Sequence, residues 1–448
     1  MDTIGAWNAL LRPDVELTRG YCEEFAASMR ARKLTFGDRV HCPFLRPFFL
    51  TDQDEARMRS AAETIAALGE RVAAAALASP ALFNQLRLTE TETRLVRMDP
   101  GYACASTASR LDAFLLPEGL HFAEYNAESP AGLGYTQRLC ELFDAMPAMT
   151  RFRAGRSVRF NPTIEPMLDA LLASYREWGG RANPPHIAIV DWREVPTWTE
   201  FEILRDAFAA RGVPASVCDP RDLTFEQGVL RCGDRVIDVL YRRVLINDVL
   251  ARSAECAALL QAYESQAVCV ANTFRCKLAH KKAFFAVLTD DRNQDLFSAA
   301  DREVIAAHVP WTRVVADDET VKRGKRRSLL RLAEAERETL VLKPNDEYGG
   351  TGVTLGWETS PGDWRAALNA ALTDPASTWV VQERIPVRRE VFPMFDRAGL
   401  VTMQNMLVDF APYLFRGRMA GYLTRLSSTG LANVTSGGGQ VPAFVVSE

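Results

Sequence analysis

The sequence predicts a mixed fold, α+β with an embedded α/β unit, and three stretches of chain carry that expectation. A helical pattern dominates the first hundred residues, an amphipathic hairpin follows at 109–130, and beyond residue 183 short apolar runs alternate with helical ones. Apolar strands separated by helices imply a parallel sheet covered on both faces, whereas a hairpin with one polar face belongs to an antiparallel sheet.

Region 1–107 is expected to be mainly helical. Its stretch DQDEARMRSAAETIAALGERVAAAALASPALF has an acid-rich start and apolar residues at helical spacing, the pattern of a scaffold helix. A second unit, 108–150, opens with SRLDAFLLPEGLHFAEYNAESP, in which Pro117-Glu118-Gly119 separates two apolar-rich runs. Centring the reversal near Glu118 sets Asp112 opposite Glu124 and Arg110 opposite Asn126. Alternation then gathers all four on one face and puts His121 on the other. A helix is expected from Gly132 to Met149.

In the third unit, 151–271, the apolar run His186–Asp191, the helical Glu200–Arg211 and the strand-like Val213–Cys218 make a βαβ unit. Gly228–Asp234 reads as a hairpin, and VIDVLYRR as a further strand. No G-x-G-x-x-G opens the first helix, so this is not a dinucleotide site of the usual kind, and its strand ends are expected to support a substrate pocket. The fourth unit, 272–448, begins with the helical CKLAHKKAFFAVL and continues with strands Thr339–Pro344 and Thr378–Glu383. The basic run Lys322–Arg331 lacks interleaved aromatics and leads into AEAERE, so it reads as a solvated helix face.

Composition excludes several classes. With 448 residues, 48% hydrophobic and 25% charged, the chain suits a soluble globular protein with two or three cores, neither fibrous nor disordered. A net charge of −4 gives no pull toward nucleic acid or an anionic membrane. The start MDTIGAWNALLRPDVE has no basic and apolar leader pattern and no apolar run is long enough to span a bilayer, so a cytoplasmic location is expected. Nine cysteines without a CxxC pair argue against a disulfide framework or a thiolate zinc site.

The polar hairpin face offers hard oxygen ligands for Mg²⁺ in Asp112, Glu124 and Asn126, with Arg110 turned to the same place. The same four residues also suit a solvated face of an amphipathic hairpin. In VLKPNDEYGGTGVTLG, Lys343 ends a strand and Gly349, Gly350 and Gly352 follow, a composition that exposes backbone N–H groups to an anion or makes a tight turn. The Walker pattern is absent. In VVQERIPVRRE the strand end Gln382-Glu383 can read an adenine edge and Glu390 can reach ribose hydroxyls, or these are surface charges. Farther on, FRGRMAGYLTRLSSTGLANVTSGGGQ places Arg425 on a strand ahead of Asn433 and the loop Gly437-Gly438-Gly439.

Taken in order, these motifs resemble the ATP-grasp ligases, with the D…ExN metal pattern moved to the front as in the circularly permuted members. Glu124-Tyr-Asn126-Ala-Glu128-Ser is similar to the corresponding stretch of glutathionylspermidine synthases. The resemblance runs from about Ala108 onward, and 183–271 is similar to the pre-ATP-grasp domain. It implies Lys343 and Lys282, or its neighbour Lys281, as nucleotide lysines. Gly349, Gly350 and Gly352 would form the phosphate loop, and Gln382 and Glu383 the adenine hinge. Asp112, Glu124 and Asn126 would be the metal ligands, and Arg110 and Arg425 the catalytic phosphate contacts.

The implied cofactors are ATP and Mg²⁺. The implied reaction joins a small-molecule or peptide carboxylate to an amine acceptor through an acyl phosphate, releasing ADP and phosphate, with no nucleic acid or membrane partner. Two other readings remain at this point: a non-catalytic ATP-binding or partner-binding protein, and an ATP-dependent phosphotransferase. Glu128 reads either as a contact for the amine or as a turn residue.

Overall fold

The computed structural model describes residues 2–37, 39–429 and 438–447. Strands Ala108–Leu115 and Leu120–Asn126 form the expected hairpin, and its register sets Asp112 against Glu124 and Arg110 against Asn126. The hairpin is half of a larger object. Tyr413 of strand Val401–Phe415 pairs with Arg110, and strands Arg388–Phe395, Arg418–Ser427 and Gly439–Val441 complete a six-stranded antiparallel sheet. Residues from the front and from the far end of the chain therefore share one ladder.

The apolar face of this sheet, with Leu111, Ala113, Phe122 and Tyr125 buried, packs under the helix Asp52–Ala78. That helix starts at a capping box in which Thr51 and Asp54 satisfy each other's exposed N–H groups. Its alanines and Gly69 allow close approach: a Cβ on Gly69 would lie 2.9 Å from the Tyr125 ring. The first region is not helical throughout. Phe48–Thr51 is a strand that runs parallel to Ala443–Ser447, stitching the front of the chain to its end. A three-residue apolar run after Pro47 has no periodicity of its own, which is why the sequence does not announce it.

The parallel sheet follows expectation, in the order Cys269–Ala271, Val239–Arg242, Ile187–Val190, Ala215–Cys218. Its first crossover helix, Trp198–Ala210, carries the buried Glu200, whose carboxylate accepts the Gly132 N–H at 2.8 Å and the Gly134 N–H at 3.1 Å. These are free N–H groups at the start of helix Leu133–Asp144, so one acidic side chain fixes the hairpin's exit to the parallel unit. The expected helix at Gly132–Met149 stops at Asp144 and resumes as Pro147–Phe152, because Pro147 suits only a first turn.

A smaller lobe holds the antiparallel strands Thr312–Val314, Trp379–Glu383, Leu340–Pro344 and Thr354–Leu355. Helices Leu329–Ala335 and Pro361–Thr373 cover it around Trp364. The basic run is not a helix face. Glu319–Lys322 and Lys325–Ser328 make a hairpin reversing at Arg323-Gly324, where φ is 52° and 73°, and the helix begins only at Leu329. After the glycine loop the chain forms the short strand Thr354–Leu355 and a 3₁₀ turn, Gly356–Glu358. CKLAHKKAFFAVL breaks into Lys277–His280 and Ala283–Thr289, because the Lys282 N–H bonds to the Asn345 carbonyl at 2.9 Å and the Ala283 N–H to the Asn345 side chain at 2.8 Å. No helix among the described residues is long and apolar enough to cross a membrane.

The lobe's core is small, so its one large buried ring dominates it. Trp364 is 1% exposed and donates its indole N–H to the Ala333 carbonyl at 2.9 Å. Trp364→Ala is expected to cost about 3–5 kcal/mol of lobe stability. Hydrogen exchange would show this as lost amide protection across 329–383 with the parallel sheet unaffected, and uniform loss across the chain would contradict a separately cored lobe.

Candidate functional site

The polar face of the hairpin opens into a cavity of about 340 Å³ between the large sheet and the smaller lobe. Asp112, Glu124, Lys282, Lys343, Asp409 and Arg425 line it, together with Gly349 and Gly350. Asp112 is 5% exposed and its carboxylate is gripped from both sides. Arg110 donates through Nε at 2.7 Å and Nη2 at 3.2 Å, and Arg425 donates from the opposite strand pair. Burial opposes ionisation here, yet Arg110 and then Arg425 outweigh it and hold the Asp112 carboxyl well below the usual carboxylate range.

Arg425 also bonds to Asp409, its direct cross-strand partner. Burial raises the Asp409 carboxyl to about 6 despite that arginine, and its Oδ1 is buried without a hydrogen-bond partner. Sequence reading missed Asp409. Only the pairing of Asp409 with Arg425 reveals it, since one apolar residue after another surrounds it in MLVDFAPYLF.

Glu124 sits 3.4 Å from the Lys282 ammonium and accepts the Asn126 amide N–H at 3.2 Å. Burial opposes its ionisation, but Lys282 lowers its pKa. Lys343 points at the same space. Burial lowers its ammonium to about 8, and its hydrogen-bond acceptor is neutral: the Gln382 amide oxygen at 2.6 Å. Gln382 in turn donates to Thr312 Oγ1 at 3.1 Å, so its side chain orients a lysine and is not free to read a base. Glu383 is also engaged, with Arg323 at 2.9 Å and Lys322 at 3.5 Å. Glu383, Arg384 and Ile385 line the cavity, with the Glu383 and Arg384 N–H groups donating to the Trp311 and Thr339 carbonyls.

Of the two adjacent lysines, Lys282 faces the cavity, while Lys281 is buried against Glu92 at 2.7 Å and Asp346 at 2.8 Å. Gly349, Gly350 and Gly352 have φ of 65°, 79° and 73°. Only glycine adopts that backbone without strain, and Gly349, Gly350 and Thr351 line the cavity while Gly352 does not. Glu347, not singled out from the sequence, also lines the cavity.

Three sequence readings change. Glu390 lies on the other face of its strand, paired with Arg46 at 2.8 Å and with Arg388, and is not part of the cavity. Glu128 is 1% exposed and holds Arg242 at 3.3 Å and Lys277 at 3.1 Å, so it is committed inside the protein and not open to an amine. His121 shares the face of Asp112 and Glu124, because Ala123 is the extra residue of a bulge: Asp112 pairs with Glu124 but Ala113 with Phe122 and Phe114 with His121. Asn433 and Gly437 lie outside the described residues.

Among the described residues no group of three or more His, Cys, Asp and Glu is arranged to hold a metal ion. The oxygen donors Glu124 and Asn126, with Asp112 across the hairpin, suit Mg²⁺ in kind. The lining sets Lys282, Lys343, Arg384, Arg389 and Arg425 against Asp112, Glu124, Glu347, Glu358, Glu383 and Asp409, so a polyphosphate would enter together with such an ion. The donor set therefore fits a magnesium nucleotide in its chemistry.

No protein-family model matches the chain, and no curated protein sequence matches it. Among solved structures it is similar to a glutathione synthetase-like effector, GSS30, from Globodera pallida in its apo form. The identity is 12% and the TM-score 0.61, over 97% of this chain and 98% of that one. The chain has a glutathione synthetase-like fold. Two further similarities are partial and add nothing to that assignment. A protein assigned as a gamma-glutamylcysteine synthetase from Methylobacillus flagellatus KT has 10% identity and a TM-score of 0.40, over 72% of this chain and 76% of that one. D-cycloserine synthetase DcsG has 21% identity and a TM-score of 0.28, over 45% and 59%. Within the glutathione synthetase-like fold, the cavity lies where the smaller lobe closes on the large sheet.

The clamp on Asp112 has a measurable pH signature. Asp112→Asn leaves two buried guanidinium groups under-compensated and is expected to cost about 3–5 kcal/mol at pH 7. Because the folded pKa is depressed, wild type holds this stabilisation above the unfolded value of about 3.9 and loses it as pH falls below that. The gap between wild type and variant in denaturant titrations should narrow below about pH 4, and a pH-independent gap would show that the charge is not its source.

Proposed function

We propose that the protein is an ATP-dependent carboxylate–amine ligase of the ATP-grasp type, in the circularly permuted arrangement, using Mg²⁺. The observation that carries this reading is the convergence of Lys282, Lys343, Arg425, Gly349 and Gly350 on one cavity beside Asp112 and Glu124, with Arg110 behind Asp112 and outside the lining. Among the residues lining that cavity there is no histidine, serine or cysteine that would supply a nucleophile–base pair. The constellation suits phosphoryl transfer, which asks a protein for in-line placement and charge neutralisation more than for covalent participation.

On this reading a substrate carboxylate attacks the γ-phosphate of ATP, giving an acyl phosphate and ADP, and an amine then displaces phosphate to form an amide. Lys343 and Lys282 hold phosphate oxygens, with Gln382 keeping the Lys343 ammonium aimed into the cavity. The N–H groups at Gly349 and Gly350 close over the anion. Arg425, held by Asp112 and Asp409, presents its guanidinium to the transferred phosphoryl group, and Arg110 acts from behind by fixing Asp112. Glu124, Asn126 and Asp112 would hold Mg²⁺, which would supply neutralisation of phosphate charge. The carboxylate is a small molecule or a peptide end, and the amine is unassigned.

The decisive assay follows ADP, phosphate and hydroxamate in the presence of Mg²⁺, ATP and a panel of carboxylates, with hydroxylamine as the surrogate amine. Joint appearance of all three with one carboxylate is expected. Glu124→Gln should lower that turnover at least a hundredfold with thermal stability retained. ADP with a phosphorylated product and no hydroxamate would favour a phosphotransferase, and ATP binding without any turnover a binding protein.

Lys343 gives a second handle. Its ammonium must be charged to hold phosphate, and the free protein loses that proton near pH 8. ATP association should therefore be flat up to about pH 7 and about tenfold weaker at pH 9, as proton uptake becomes part of binding. Lys343→Arg, whose guanidinium stays charged, should abolish the slope; an identical slope in the variant would place the titration elsewhere.

A further inference from the structure

Behind the cavity, five buried charges and the partly exposed Asp346 meet in a cluster that the proposed chemistry does not use. Glu92 comes from helix Glu90–Arg97 of the first region, Glu128 from the exit of the hairpin and Arg242 from the carboxyl end of a parallel strand. Lys277 and Lys281 flank the helix before Lys282. Asp346 follows Lys343 by three residues and stands directly before the cavity-lining Glu347. Three acids face three bases.

Asp346 is the member through which the glycine loop joins this cluster. Its two carboxylate oxygens take the Lys277 and Lys281 ammoniums at 2.8 Å each, and the Asn247 amide donates to it at 3.1 Å. Lys281 continues to Glu92 at 2.7 Å, and Lys277 to Glu128 at 3.1 Å, which Arg242 meets at 3.3 Å. Lys277 is 1% exposed and Lys281 4%, so neither ammonium has water as a substitute partner. The loop's own composition works against order. Gly349, Gly350 and Gly352 lose more backbone freedom on being fixed than any other residues would, so its conformation must be imposed from its base.

We propose that Asp346 is a positioning residue for the glycine loop, and that the six-charge cluster is the brace by which the N-terminal helix and the parallel-sheet unit set the loop over a nucleotide's phosphates. This rests on the nucleotide reading of the cavity. Asp346 touches neither the cavity nor a ligand in it; it acts through the backbone of 347–352. The adjacent Asn345 does the complementary work for Lys282, whose N–H its carbonyl accepts at 2.9 Å. The brace therefore fixes the loop relative to both lysines.

The experiment compares the affinities of ATP and AMP, measured calorimetrically on the full chain, because AMP reaches the hinge but lacks the phosphates the loop would cover. Asp346→Asn is expected to weaken ATP about tenfold and AMP by less than twofold. It should also raise amide exchange at 347–352 in the ATP complex. If that variant is too unstable to measure, Asp346→Asn with Lys281→Met restores the charge balance and should show the same selective loss of ATP. Equal loss of both ligands, or unchanged ATP affinity in a folded variant, would overturn the positioning role while leaving the nucleotide site in place. Wild-type protein that binds neither ligand would overturn the nucleotide reading itself, and the positioning role with it.

Discussion

Asp112 is ionised in a place that water barely reaches, and the two guanidinium groups that make this possible come from different parts of the chain. Arg110 is its neighbour on the same strand, two residues away, and Arg425 lies on a strand built more than three hundred residues later. A buried carboxylate with only one of them would be costly to keep charged; with both, and with Asp409 balancing Arg425 from the other side, the four side chains form a closed set. The set exists only if the hairpin and the Val401–Phe415 strand are paired in the observed register, since a slip of one residue would turn Asp112 toward the apolar face under helix Asp52–Ala78. The electrostatics of the site and the assembly of the large sheet are one constraint.

The cavity's other cation is prepared differently. Lys343 has no carboxylate within ion-pair distance; it rests on the neutral oxygen of Gln382 and is partly discharged by burial. A lysine satisfied in this way gives up little when an anion arrives, whereas one already paired would have to exchange a partner. Lys281, one residue from the cavity-facing Lys282, shows the alternative. It is locked between Glu92 and Asp346 and serves the scaffold. Adjacent and chemically identical residues thus divide between the buried scaffold and the cavity wall according to what burial provides as a partner.

Much of this was legible in the sequence where local rules dominate. The turn at Pro117–Gly119 and the alternation of polar residues were enough to place Asp112 opposite Glu124 and Arg110 opposite Asn126, and the apolar runs after residue 183 were enough for the parallel sheet. What failed depends on partners distant in the chain. The bulge at Ala123 reverses the face of His121 without any turn residue to mark it. Asn345 breaks the helix at Lys281-Lys282 by capping it from a separate strand. The basic run folds back at Arg323-Gly324 because Lys322 is drawn in by Glu336 at 2.9 Å and Glu383. Asp409 and the true task of Gln382 are invisible until Arg425 and Lys343 are placed beside them.

The same dependence bears on how the molecule comes to be organised. Phe48–Thr51 pairs with Ala443–Ser447, and the hairpin at 108–126 pairs with 401–415, so the largest sheet cannot close before residues 401–415 are in place. Such long-range pairing forms late and slowly, while the parallel unit and the Trp364 lobe have local contacts of their own. The cavity lies where these early units meet the late sheet. Asp112, Glu124, Asp409 and Arg425 come from the sheet, Lys282, Lys343, Glu347 and the glycine loop from the segments beside it, and the charges around Asp346 join the two. A site divided this way is assembled only by the complete fold, and its lobe side remains the part with the fewest buried residues to restrain it.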